Sequence, residues 1–426
     1  MKSPSDMSVT TLDELFLRQV DAWVLQALKD RPSSFDEFIK MLPGVYPTDA
    51  LYSLRRIQHT QHGVTKLLKR FRSQVSQNWC EVACSGCHHM KVVPLEHPLD
   101  FEWRFCKSAL ARISAKLQQL SKKHYPVVLC LGCPSVFEAG IHAAPNSRYV
   151  LWDKNARNTG QLAETDLLAN VDCSQRQLPT IAADVVVIDP PWYNDYYKVF
   201  VWAALQNMVI GGHIVLSFPP VGTRPSARAD FDSFLVWCQS AGLEMDENTP
   251  RALPYCSPLF ELNALKVAGI RTISLDWRAG NMVVLTYRRK MPIQRPTLPP
   301  VQQQWLEFRF GPTRIKLSKS PHNAQEPKLL PVWKTSVLPS VSSKFPSRGN
   351  ANFVTSGNRF LQTSNPCKVI ELCSMVSASI GNSDISSARV AKGEAIQRTL
   401  LRQVQGILVQ EAREAKQYFA LSNECR

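Results

Sequence analysis

No apolar run in this 426-residue chain reaches the roughly 18 residues needed to cross a bilayer, so a membrane-spanning protein is excluded. The first ten residues lack a charged stretch leading into an apolar core, the signature of a secretory leader. A reducing, cytoplasmic setting is therefore expected, with the twelve cysteines as free thiols. No internal repeat is visible. Acidic side chains are the scarcer charge, 35 against 50 basic, for a net charge of +15. Ten of those fifteen excess positive charges fall after residue 290, where 18 basic side chains face 8 acidic ones. Such a balance fits either a polyanionic partner held by phosphate neutralisation or a tail that serves solubility. Hydrophobic residues at 44% and charged residues at 20% are enough for a real core, which excludes wholesale disorder, and the length suits two to four structural units.

Four stretches follow from the pattern along the chain. Residues 1–75 read as short helices: Leu12, Leu15, Val20, Val24, Leu25 and Leu28 recur at helical steps, Ser33 and Ser34 can cap a helix that begins at Phe35, and a third helix starts near Thr48 and Asp49. A turn at His62-Gly63 and the basic run 66–72 then suggest a hairpin-like end. Together these give a winged helix or another small helical module. Residues 76–99 form a linker containing cysteine and histidine. Residues 100–290 carry short apolar runs at 127–131, 149–152, 185–188, 214–218, 270–275 and 282–287, separated by helix-length stretches. That alternation predicts an α/β fold, a doubly wound Rossmann-like parallel sheet, with the last two runs as a hairpin forming an antiparallel edge. Residues 291–426 open with the proline-rich MPIQRPTLPP and continue as a basic extension. Within it are a hairpin around Gly311-Pro312, a basic loop at 336–359, a mobile Ser/Asn/Gly stretch at 364–387 and a long last helix at 387–421.

The chemistry concentrates where the strand at 185–188 runs into Asp189-Pro190-Pro191-Trp192. In an open parallel sheet this is the edge where ligands bind. The Asp189 carboxylate and the Pro190 carbonyl, which has no backbone donor beside it at Pro191, can accept both hydrogens of a planar amino group. Trp192 can stack on the ring that carries the amine. A strand followed by Asp-Pro-Pro-Trp resembles the motif of the amino-group methyltransferases, especially the N6-adenine and N4-cytosine nucleic-acid enzymes that use S-adenosylmethionine. The resemblance covers about residues 100–290 and implies a methyltransferase acting on an exocyclic amine, most readily adenine N6, in DNA rather than RNA. It implies that Gly132 begins the loop at the methionine end of the cofactor. Asp153, 21 residues after Gly132, would accept the ribose hydroxyls, and Asp172 would contact the cofactor adenine. Tyr193 is the following residue best placed to line the base pocket. Cys133, Pro134 and Ser135 stand where the family has further glycines.

Cys80, Cys84, Cys87, His88 and His89 form a second cluster. Its Cys-x3-Cys-x2-Cys spacing matches radical adenosylmethionine enzymes, but the chain shows no barrel-length strand and helix series, so that family is set aside. Two readings stay open: a small zinc site drawn from Cys80, Cys84, Cys87 and His88, or free thiols beside incidental histidines. The aromatics of the segment 98–105 are either a lid over the cofactor pocket or core. Two alternatives to methyl transfer also stand. The helical module, the cysteine cluster and the Asp-Pro-Pro sheet are together similar to branched-chain polyamine synthases, although the loop 133–137 lacks the acids those enzymes carry. A degenerate methyltransferase fold could instead serve as a nucleic-acid-binding subunit. Oligomeric state is not legible in the sequence.

Overall fold

The computed structural model describes residues 9–58, 64–74, 94–121, 123–143, 146–154, 168–169, 171–173, 178–271, 273–298, 304–318, 328–343, 345–380 and 395–422. Four helices open the chain: α1 (Val9–Lys29), α2 (Phe35–Met41), α3 (Pro47–Ile57) and α4 (Val64–Gln74). Ser34 caps α2 as expected. Its side chain accepts the Glu37 amide at 3.1 Å, and the Glu37 carboxylate accepts the Ser33 amide at 2.6 Å. Pro47 takes the first turn of α3, where a missing N–H leaves nothing unpaired. The basic run expected to form a hairpin is instead helix α4. Val64, Leu68 and Phe71, four and three residues apart, form one buried stripe against Phe35, Phe38 and Leu54, while Lys66, Lys69 and Arg70 face out. No wing is present among the described residues.

The central sheet has eight strands: β1 (Arg104–Phe105), β2 (Val127–Leu131), β3 (Arg148–Trp152), β4 (Leu168–Ala169), β5 (Ala183–Ile188), β6 (Met208–Phe218), β7 (Leu243–Cys256) and β8 (Ala279–Tyr287). They lie in the order β1-β7-β8-β6-β5-β2-β3-β4. Strands β4, β3, β2, β5 and β6 are mutually parallel, and β8 runs antiparallel to both β6 and β7. This is the doubly wound, Rossmann-like α/β sheet that the apolar runs predict.

Both faces are covered, which is why its strands are apolar throughout. Val128, Cys130, Leu151, Val185 and Val187 pack under α5 (Lys107–Leu120) and α6 (Pro134–Ala143). The alternate residues Leu129, Leu131, Val150, Val186 and Ile188 pack under α7 (Asn194–Leu205) and α8 (Ala227–Ser240). One expected strand is wrong. Within 270–275 the described residues 270, 271 and 273–275 form no strand; Ile270 and Ile273 pack with Trp277 into the helical module, and the Ser274 amide donates to Asp36 at 2.7 Å. The true neighbour of β8 is β7, followed by α9 (Leu259–Val267). The first half of β7 is acidic and exposed and its register slips twice, so it has no apolar run to betray it.

Residues after 290 form a second, antiparallel sheet of β9 (Trp305–Phe310), β10 (Thr313–Ser318), β11 (Leu329–Pro331), β12 (Phe353–Thr355) and β13 (Phe360–Thr363), in the order β11-β13-β12-β10-β9. The hairpin about Gly311-Pro312 is β9 and β10. Part of the stretch expected to be mobile is helix α10 (Pro366–Ile380), capped by Asn365, which accepts the Lys368 amide at 3.1 Å. Its Val369, Leu372, Cys373 and Val376 repeat at helical steps and are buried with Leu400, Val404 and Leu408 of α11 (Ala395–Ser422). The unit is joined to the first by Arg314, which pairs with Asp100 at 2.5 Å and Glu102 at 2.7 Å, as well as with Glu307 of its own sheet at 2.8 Å. Part of the basic excess is thus spent inside the molecule. Among the described residues no helix is long and apolar enough to cross a membrane, and none of the eight described cysteines is in a disulfide.

Candidate active site

Three adjacent parallel strands end in register. Leu131 pairs with Trp152 on one side and with Ile188 on the other, so the next residues, Gly132, Asp153 and Asp189, form a row along the carboxyl edge of the sheet. They open onto one cavity of about 1740 Å³, which Asp172, Pro190, Pro191, Trp192 and Tyr193 also line. Gly132, Asp153, Asp172, Asp189, Pro190, Pro191, Trp192 and Tyr193 are therefore brought to the same space. The cluster Cys80, Cys84, Cys87 and His88 lies outside the described residues. Among the described residues no group of three histidine, cysteine or acidic side chains is arranged to hold a metal.

Gly132 is left-handed at φ +67°, and a β-carbon there would come within 3.0 Å of the Phe200 ring and 3.1 Å of the Asp189 carbonyl oxygen. The chain must turn at this point with no side chain. Cys133, the next residue, is fully inside. Its Sγ donates to the Val187 carbonyl at 3.3 Å, and burial pushes the thiol well above its ordinary pKa, so it stays a protonated donor. Pro134 then begins α6 directly. The loop is thus a short turn closed by a thiol instead of by further glycines.

These residues suit an adenosyl cofactor. Asp153 and Asp172 offer carboxylates to hydroxyl and amino donors, Gly132 gives a bare backbone, and the cavity exceeds the roughly 300–1,000 Å³ of ordinary small-ligand pockets, leaving room for an acceptor as well.

Asp189 sits half-buried at the end of β5. Desolvation pushes its carboxyl up to about 8, against the opposing effect of a hydrogen bond donated by the Tyr255 hydroxyl to Oδ1 at 2.5 Å. Oδ2 accepts no bond from the described residues, and neither does the Pro190 carbonyl. Tyr255 also shares a hydrogen bond with Ser217 Oγ at 2.6 Å and stacks on Phe105 at 4.7 Å. Gly280 makes this corner possible, because a β-carbon there would lie 2.1 Å from Ser217 Oγ.

Trp192 meets Tyr255 edge to face at 5.6 Å. The Arg278 guanidinium lies 5.5 Å from the Trp192 ring, 5.2 Å from Trp103, 5.0 Å from Trp277 and 5.6 Å from Tyr46. Arg278 is held in this aromatic cage by the wholly buried Glu261, at 2.5 Å. Arg278 thus fixes Trp192 and ties the helical module, through Tyr46, to the cavity wall. The segment 98–105 both lines the cavity, through Phe101 and Glu102, and packs, Trp103 meeting Phe260 at 5.0 Å. Tyr193 is edge-on to Phe101 at 5.9 Å, and its hydroxyl lies 2.7 Å from Ser343 Oγ of the second sheet unit.

The pattern of the sequence did not disclose Tyr255, Ser217, Arg278 or Glu261. None stands in a motif, and they converge only because β7 and β8 lie beside β6.

No protein-family model and no curated protein matches the chain. Among solved structures the chain is similar to the branched-chain polyamine synthase C9 mutein from Thermus thermophilus, in complex with N4-aminopropylspermidine and 5′-methylthioadenosine: 14% identity over 68% of this chain and 95% of that one, TM-score 0.49. It is also similar to the N-methyltransferase NodS from Bradyrhizobium japonicum, with 15% identity over 43% of this chain and 99% of that one, TM-score 0.29. A third is TrmN from Thermus thermophilus, with 15% identity over 42% and 48% of the two chains, TM-score 0.29.

Proposed function

We propose that the chain is an S-adenosylmethionine-dependent methyltransferase acting on a planar exocyclic amine, with adenine N6 in DNA as the acceptor. The observation that carries this reading is the in-register row Gly132, Asp153 and Asp189 at three neighbouring strand ends on one cavity. Gly132, Asp153 and Asp172 would hold the cofactor, which supplies a methyl group made electrophilic by its sulfonium.

The chain's own part is to position the nucleophile. Oδ2 of Asp189 and the Pro190 carbonyl accept the two amine hydrogens, which turns the nitrogen lone pair toward the methyl carbon. Tyr255 holds the other carboxyl oxygen, so the group cannot rotate away. As the N–C bond formed, the methyl–sulfur bond would break with S-adenosylhomocysteine as the leaving group, and the surplus amine proton would pass to Asp189 in its ionised state and from there to water. Trp192, braced by Arg278, offers a face to the base. A duplex acceptor must extrude its base to reach this depth, and the exposed Lys66, Lys69 and Arg70 of α4 supply phosphate contacts.

The full-length protein, incubated with S-adenosylmethionine labelled in its methyl group and with adenine-containing DNA, is expected to yield labelled N6-methyladenine. Asp189→Ala should abolish the label and leave cofactor affinity within a few fold. Full turnover by Asp189→Ala would overturn the mechanism, and mass spectrometry of nucleosides from cells with and without the protein tests the acceptor. One observation favours a second reading, aminopropyl transfer to an amine: the helical module contributes Asp13 and Asp49 to the cavity wall, carboxyls suited to a cationic acceptor. Decarboxylated S-adenosylmethionine as donor separates the two.

A further inference from the structure

Three arginines are almost wholly buried among the described residues: Arg314 and Arg359 at 1% exposure and Arg348 at 7%. Two are neutralised at close range. Arg314 meets Asp100, Glu102 and Glu307, and Arg359 meets Glu411 and Glu414. Arg348 is different. Its Nη1 donates to the Val341 carbonyl at 2.8 Å and its Nη2 to the Pro98 carbonyl at 2.6 Å, its guanidinium lies 5.0 Å from the Phe360 ring, and no described carboxylate pairs with it. Burial without a counterion pulls its pKa down to about 10, opposed only by the Tyr193 phenol. An unneutralised buried cation is costly, and a fold that keeps one at a cavity wall is built to receive negative charge from a ligand.

Arg348 lines the same cavity as Asp189. Beside it are Tyr193, the residue after Trp192, and the loop carrying Ser340, Ser342 and Ser343. The Tyr193 and Ser343 hydroxyls lie 2.7 Å apart, and Ser343 is exposed at the mouth. A guanidinium has five N–H donors, and among the described residues two bonds are made here, so donors remain for an oxyanion. Arg224, 5.6 Å from the Tyr193 ring, is already paired with Asp230 at 2.7 Å and does not compete.

We propose that Arg348, with the hydroxyls of Tyr193 and Ser343, forms a phosphate subsite that holds the acceptor by the phosphate of the nucleotide whose base enters the Asp189 corner. This rests on the methyl-transfer reading for the base, and the subsite itself is a property of the second sheet unit. It makes the acceptor a nucleotide, not a nucleoside or a simple amine, and gives the extension after residue 290 a part in substrate recognition.

The test is calorimetry on the full chain saturated with S-adenosylhomocysteine, titrated with adenosine, adenosine 5′-monophosphate and inorganic phosphate. The monophosphate is expected to bind at least tenfold more tightly than adenosine. Arg348→Met should bring the two within about twofold while S-adenosylhomocysteine affinity stays within twofold. Ser343→Ala, at an exposed position, should cut the preference severalfold, and it decides the matter if Arg348→Met does not fold. Equal affinities for adenosine and its monophosphate in the wild type would overturn the subsite and leave the base reading standing. Binding of inorganic phosphate that depends on Arg348, with no binding of adenosine, would support the subsite and remove the adenine reading. Loss of S-adenosylhomocysteine affinity in Arg348→Met would assign the guanidinium to the cofactor carboxylate and overturn the proposal.

Discussion

Tyr255, on a strand with no recognisable motif, donates its hydroxyl to Oδ1 of Asp189 at 2.5 Å. The contact spans 66 residues of sequence and leaves Oδ2 as the carboxyl oxygen with no bond from the described residues. It also acts on the charge of Asp189, since a donor favours the ionised form while burial disfavours it.

Tyr255→Phe removes that donor and keeps the ring stacked on Phe105. A hydrogen bond to a charged group contributes about 1.5–3 kcal/mol. The Asp189 carboxyl should therefore titrate at higher pH in the variant, and the acidic limb of the kcat/KM profile should move up with it. Ser217→Ala, one bond further out, should move it less. An unchanged profile in Tyr255→Phe would show that Asp189 does not govern that limb.

Arg278 and Glu261 make a second pair whose loss should be costly. Arg278→Met leaves the Glu261 carboxylate wholly buried, with the Trp103 indole at 3.3 Å as its one remaining side-chain donor among the described residues. Breaking a buried pair from one side costs about 3–5 kcal/mol. Arg278→Met combined with Glu261→Gln should recover a large part of that in denaturant unfolding, whereas Glu261→Gln alone should cost less than Arg278→Met.

Much of the sheet was legible because burial on both faces writes itself as short apolar runs. The strands at 127–131 and 185–188 follow from that rule alone, whereas Gly132 and Asp153 are singled out through what the resemblance implies. What failed was local sequence that tertiary contacts override. Residues 270–275 look like a strand but bury Ile270 and Ile273 against helices, while β7 holds its place by pairing with β8 despite Glu244, Asp246 and Glu247. The site was legible where it followed strand ends in chain order, at Asp153 and Asp189. Tyr255 and Arg278 enter it sideways, from the antiparallel part of the sheet, and Arg348 from another sheet altogether. No spacing in the sequence encodes such approaches.

Asp153→Ala should separate cofactor binding from the rest. Its position in the strand-end row is two strands from Asp189, and the Tyr255 bond does not depend on it. S-adenosylmethionine at about 100 times its dissociation constant should stabilise the wild type by about 2.7 kcal/mol. Most of the resulting rise in melting temperature, each protein measured against its own ligand-free value, is expected to vanish in Asp153→Ala at the same ligand concentration. A full ligand-induced rise in the variant would remove Asp153 from the cofactor site.

The raised carboxyl of Asp189 also sets a stability trend. Unfolded, it ionises near the ordinary value of 3.8, and folded at about 8. Between those limits the unfolded chain gives up a proton that the folded chain keeps, so this group's contribution to stability is complete below about pH 4 and is lost as pH rises toward 8. Asp189→Asn, which can still accept from Tyr255, removes the dependence. The variant should unfold at a higher denaturant concentration than wild type at pH 8, by about 1–3 kcal/mol, and the two should converge at pH 4. An advantage that is the same at both pH values would place the cause elsewhere.

The same proton gives a test of charge at the site that needs no turnover. Near pH 7 the ligand-free Asp189, titrating at about 8, is largely protonated. A sulfonium bound beside it would favour the carboxylate, so S-adenosylmethionine should drive out a fraction of a proton per site, whereas the uncharged sulfur of S-adenosylhomocysteine should not. Calorimetric titrations at pH 7 in two buffers of different ionisation enthalpy measure that release directly. Asp189→Asn, with nothing to ionise, should show buffer-independent heats for both ligands. If wild type released the same number of protons with both ligands, the positive sulfur would not be lodged next to Asp189, and the acceptor geometry drawn from that carboxylate would have to be abandoned.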